Sequence, residues 1–77
     1  MRVQRDSSDQ PFVDTPTLLN EHVRTTFVRE DRAGYGVDSV RVQIRDATGH
    51  LRQGPEVPLA AVPGLIAAAM ELIRENT

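Results

Sequence analysis

The chain has 77 residues, 39% of them apolar, and a formal net charge of −2. That size allows a single domain with a thin core, and that apolar share excludes wholesale disorder. It contains no cysteine, which removes disulfides, thiolate zinc sites and cysteine nucleophiles together.

Residues 1–10 are polar and without periodicity and predict a mobile tail. Phe12 and Val13 then lie between Pro11 and Pro16, so that residues 1–17 read as an N-terminal arm able to dock on a groove. Leu18 and Leu19 open a short turn or lead into the first strand. From Val23 to Glu30 the chain is β-branched and aromatic with alternating polar residues, a strand by propensity and by period. Asp31 to Gly36 carries two glycines and predicts a loop.

Ser39 to Asp46 gives the clearest strand. Val40, Val42 and Ile44 point one way, and Arg41, Gln43 and Arg45 the other. Asp46-Ala47-Thr48-Gly49-His50 predicts a tight hairpin, in which the aspartate bonds the backbone two residues on and Gly49 takes a positive φ. Leu51 to Val57 returns as a further strand broken by Gly54-Pro55, and a proline there places it at an edge or ends it.

A helix is expected from about Ala60, with Pro63 in its first turn and Arg74 near its end. Val62, Ile66, Ala69, Met70 and Ile73 follow helical spacing, with Leu65, Ala68 and Leu72 beside them. The expected fold is α+β: an antiparallel sheet of three or four strands, then one long helix packed across it. Residues 18–77 form a single β-β-β-α domain on this reading.

Charge is spread unevenly. Residues 1–21 and 55–77 each sum to −2, and residues 22–54 to +2. This is far from the strongly basic footprint of a duplex-DNA binder. All nine basic side chains are arginine. Planar, bidentate contact to phosphate or carboxylate is one reading. The replacement is uniform and unclustered, however, so a GC-rich bacterial genome that encodes arginine in place of lysine is favoured and the arginine content marks no site. No apolar run near the N-terminus suits a signal peptide, and Val57 to Ile73 is interrupted by Pro58, Pro63, Gly64 and Glu71. A cytoplasmic protein without a membrane partner is the expectation.

Catalytic chemistry finds little support. His22 and His50 are the only histidines, no serine stands at a nucleophile elbow, and R-A-G-Y-G lacks the spacing and the following helix of a phosphate loop. The chain is therefore read as a non-enzyme with no metal and no cofactor. Two surfaces are better candidates. Arg41, Gln43 and Arg45 form a row that Arg24 or Arg29 on the neighbouring strand extends, a candidate track for single-stranded nucleic acid with Phe27 or Tyr35 to stack on bases. The competing reading is a solvated face whose arginines pair with Glu30, Asp38 and Asp46. The helix side chains Leu65, Ile66, Ala69, Met70, Leu72 and Ile73 span too wide an arc for one sheet. They predict an interface with a second copy, hence a homodimer, or with another protein.

Part of the chain resembles two families. Arg52-Gln53-Gly54, Val57 to Leu59 and the helix from Ala60 are similar to the single-strand-binding transcriptional coactivators of whirly-like fold, in which a curved antiparallel sheet precedes a dimerising helix. That resemblance implies Arg41, Arg45 and Arg52 as backbone contacts. Val42-Gln43-Ile44-Arg45-Asp46, Gly54-Pro55 and Val57 onward look like a small actinobacterial domain family of unknown function, often associated with helix-turn-helix regulators and toxin–antitoxin-like pairs. The function expected first is a small regulatory or adaptor module acting through protein–protein contact in transcription-related regulation. The alternative is a binder of single-stranded nucleic acid.

Overall fold

The computed structural model describes residues 1–77. Five strands form one antiparallel sheet in chain order: β1 (Gln4–Arg5), β2 (Pro11–Pro16), β3 (His22–Val28), β4 (Ser39–Arg45) and β5 (Glu56–Pro58). A 3₁₀ turn, Leu59–Ala61, runs into α1 (Val62–Asn76). The α+β class agrees with the sequence, but the sheet has more strands than expected. Residues 4–16, expected as part of an arm, supply β1 and β2. Their alternation is hidden by the prolines at either end of β2. Pro11 fits as the first residue of β2, and Pro16 fits because β1 reaches only Pro11 and Phe12, which leaves the outer edge of β2 free beyond them.

The turns form as their residues dictate. Asp46 Oδ1 accepts from the Thr48 and His50 amides and from the Thr48 hydroxyl, and Gly49 takes φ +86°. Leu18 and Leu19 occupy the β2–β3 turn, closed by Thr17 N–H to the Glu21 carbonyl, with Asn20 in the left-handed region. Both leucines stand in water.

Cross-strand partners share a face, so the register divides the sheet cleanly. One face carries Phe12, Asp14, Arg24, Thr26, Val28, Ser39, Arg41, Gln43, Arg45 and Glu56. The other carries Val13, Val23, Thr25, Phe27, Val40, Val42, Ile44 and Val57. The four buried residues, Phe12, Thr26, Val28 and Ser39, all lie on the first, more polar face. Every apolar side chain named on the second is only half-buried.

That inversion follows from where the helix goes. It was expected across the sheet, yet α1 buries none of its residues, and its sustained contact is with the 3₁₀ turn that precedes it. The Cα radius of gyration, 13.5 Å, exceeds the roughly 11.5 Å usual for a compact chain of this length. No loop separates sheet from helix: Pro58 (φ −53°, ψ 139°) is the last non-helical residue, and the Leu59 amide is tied to the Asp38 carbonyl at 2.9 Å. The chain leaves β5 already helical, and α1 makes no sustained contact with any strand.

Candidate functional site

The polar face of the sheet is closed by its own side chains. Asp14 and Arg24 are direct partners across β2 and β3, and the guanidinium donates to both carboxylate oxygens, at 2.9 and 3.0 Å. The Arg24 guanidinium also lies 3.9 Å from the centre of the Phe12 ring, which gives a cation–π contact and keeps the ring from water. The bidentate hydrogen bond from Arg24 holds the Asp14 carboxyl below its usual range, and the same bond holds the guanidinium pKa up.

Arg41 repeats the pattern with Glu56, its partner on β5. Two nitrogens donate to Glu56 Oε1, at 2.7 and 3.2 Å. The other oxygen, Oε2, accepts the Gly34 amide at 2.9 Å, which draws the Arg29–Asp38 loop toward this face. Arg41 first, and the Gly34 amide after it, hold the Glu56 carboxyl below its ordinary value.

Phe27 is brought to the opposite face from Arg41 and Arg45, because it pairs with Val40. Arg45 stands exposed at the end of β4, and Arg52 lies 3.9 Å from Asp46 on a largely exposed side chain. The nucleic-acid candidates Phe27, Arg41, Arg45 and Arg52 therefore do not share one surface. Asp38, expected beside an arginine, instead accepts the Glu30 amide. The carboxylates that do pair with arginine on this face, Asp14 and Glu56, were legible only once the register was known. A shallow cleft between the β1–β2 turn and the β3–β4 loop gathers Arg5, Arg29 and Arg32 beside Asp9 and Asp31. Arg5 and Arg32 donate there to the carbonyls of Asp9 and Ser8. No group of three or more His, Asp or Glu side chains gathers in metal-binding geometry.

The apolar surfaces are the ones left without internal partners. Six apolar side chains and Phe27 cover one side of β2 to β5. On α1, the 3.6-residue turn places Leu72, Leu65, Ala69, Val62, Ile73, Ile66 and Met70 within one arc of about 160°. Apart from Ala68, which lies beyond Leu72, the helix side chains singled out in the sequence thus share a single face, opposite Ala67, Glu71, Arg74 and Glu75. Ile66 is 58% exposed and Leu72 66%, so the six interface candidates on the helix lie together and in water.

The helix itself is finished at one end only. Asn76 and Thr77 side chains donate to the Leu72 and Ile73 carbonyls, and Arg74 pairs with Glu71. Its N-terminus has no side-chain cap and no acidic residue in the first turn. No helix is long and apolar enough to cross a membrane. Comparisons with family models, curated proteins and solved structures return no match.

Proposed function

We propose that this protein is a small non-enzymatic regulatory or adaptor module that works by protein–protein contact. One observation carries the reading: within a single chain, the apolar arc of α1 stands exposed and an apolar sheet face is only half-buried. Exposed apolar area on this scale, concentrated on two regular elements, marks an interaction surface. The transcription-related setting rests on the resemblance of residues 42–73 to regulator-associated families. The arginines give less to a nucleic acid, since Arg24 and Arg41 are already held by Asp14 and Glu56.

The test is a pair of titrations on the whole protein. It is added to labelled single-stranded and duplex oligonucleotides at low and at physiological salt, with anisotropy as the readout. Its assembly, with itself or with tagged-bait partners, is followed over the same salt range. The reading expects flat anisotropy, and an assembly that is insensitive to salt and lost in Ile66→Asp and Leu72→Asp. Single-strand binding that falls steeply with salt and disappears in Arg41→Ala and Arg45→Ala would overturn it in favour of the nucleic-acid alternative.

A further inference from the structure

The partner of these two surfaces is identifiable from the chain itself. Resting on the reading above, we propose that the occupant is a second copy of this protein, in a reciprocal exchange: α1 of each protomer lies on the apolar sheet face of the other.

Four observations converge on that arrangement. First, the surfaces match in kind and in size. The helix presents one apolar arc, and its 15 residues span about 22 Å at 1.5 Å each. The seven-residue strands β3 and β4 span about 23 Å at 3.3 Å each. A helix about 10 Å across covers the middle strands, whose neighbours lie about 4.8 Å apart.

Second, a protomer is poorly placed to use its own helix. With no loop between Pro58 and the 3₁₀ turn, and with the Leu59 amide fixed to Asp38, folding α1 back would break the exit from β5. Exchange of a terminal element through a short stiff connection is the arrangement that avoids this break.

Third, α1 is a poor free helix. Fifteen residues without an N-cap are marginal alone in water, and its own chain buries none of the apolar arc. It forms stably where a surface receives it.

Fourth, the contact closes. Each copy offers one helix and one sheet face and receives the same, so two copies satisfy all four surfaces without propagating a chain. A different protein would have to bring both complements at once. At about 22 Å by 10 Å, counted on both partners of both contacts, the exchange withdraws on the order of 900 Å² of flat footprint from water, close to the ~1,000 Å² that a specific interface needs. Pairing of helix with helix would leave the sheet face wet.

The absence of cysteine in the sequence makes the geometry directly readable. Thr25 lies exposed on the apolar sheet face, and Ala69 lies exposed in the helix arc, so Thr25→Cys and Ala69→Cys are mild substitutions. Equal amounts of the two single variants are mixed, equilibrated and treated with a short bismaleimide. Circular dichroism verifies the fold of each. The expected product is a species of twice 8.5 kDa from the mixture, with little from either variant alone. The double variant should also link between chains. By light scattering the unmodified protein should be a dimer, and Ile66→Asp should weaken it by about 100-fold or more, since it would bury an unpaired charge.

Three results overturn the exchange. Linking of Ala69→Cys to itself would show helix–helix pairing. A double variant linked within one 8.5 kDa chain would show fold-back onto its own sheet. A monomer at all concentrations, with no cross-link, would remove the second copy while leaving the interaction reading standing on a heterologous partner. Failure of that broader reading would instead appear as salt-dependent oligonucleotide binding.

Discussion

Gly54→Ala should be among the most damaging small substitutions in the chain. Arg45 bridges Leu51, while Arg41 pairs with Glu56. Four steps along β4 therefore face five along its neighbour, and the extra residue makes a bulge around Gly54. The Gly54 Cα presses on the β4 backbone: an added methyl would overlap the Val42 carbonyl carbon and oxygen and crowd the Gln43 Cα. A side-chain tip can swing aside, but a ladder carbonyl cannot. Relief means prising residues 52–55 off β4, at the expense of the Arg52 N–H bond to Ile44 (2.8 Å) and the Val42 N–H bond to Pro55 (3.0 Å).

Each such bond contributes about 1 kcal/mol net, and residual overlap adds about 1–3 kcal/mol. The two bonds and the residual overlap together give a loss of about 3–5 kcal/mol. A chain of this size has roughly 4–11 kcal/mol in total, at about 0.05–0.15 kcal/mol per residue, so the variant sits near the edge of folding. Urea denaturation by circular dichroism, at one fixed protein concentration because association feeds into apparent stability, reads the effect. The midpoint should drop by about 2–5 M at a slope near 1–1.5 kcal/mol per M. An alanine variant within about 0.5 kcal/mol of the parent would refute the bulge and the close approach behind it.

Gly64→Ala should act in the opposite direction: its added methyl meets nothing within 4 Å, and alanine favours a helix over glycine by about 1 kcal/mol, so far-ultraviolet helicity should rise. At Gly49, whose φ is +86°, valine should cost about 1–2 kcal/mol while asparagine costs clearly less, checked by thermal melts of the two variants. Acid should loosen the polar face. Asp14 and Glu56 have carboxyls held below their ordinary 3.8 and 4.5, so their contribution is complete above those values. It is lost as pH falls through the depressed ones. Unfolding free energy should therefore change little through these two groups above about pH 5 and fall below pH 4. In Arg24→Met the Asp14 carboxyl should titrate nearer its ordinary value, at a stability cost of about 1–3 kcal/mol; an unchanged carboxyl titration by NMR would contradict the pairing.

What the sequence disclosed depended on the range of the interaction. The alternation in β4 needs only a period of two, and the Asp46 hairpin needs only five residues, so both are visible in the chain. The apolar arc of α1 is equally local. The pairing of Asp14 with Arg24 joins two strands whose register nothing in either strand announces, and β2 is disguised by Pro11 and Pro16. The same gap hid Glu56 as the partner of Arg41: the bulge at Gly54 sets which residue of β5 faces it. Helical spacing shows which side chains need cover, but it does not say which chain supplies that cover. The direction of α1 is decided at Pro58 and Leu59, where the helical path begins without a loop.

The two faces of the sheet divide the energetics in a way that constrains any partner. On the polar side, Arg24 and Arg41 spend their donors on carboxylates of the same chain, and the ring of Phe12 is shielded beneath one of them. A phosphate arriving there would have to displace bidentate bonds already made, exchanging one charged partner for another with small net gain. On the apolar side there is nothing to displace except water. Covering Val23, Phe27, Val40, Val42 and Ile44 returns about 25 cal/mol for each Å² withdrawn, and the same holds for the arc from Leu65 to Ile73. The gain from association thus lies on the surfaces that carry no charge. An assembly built there should keep its affinity as salt rises, should lose it when a single carboxylate enters at Ile66, and should remain indifferent to removal of Arg45.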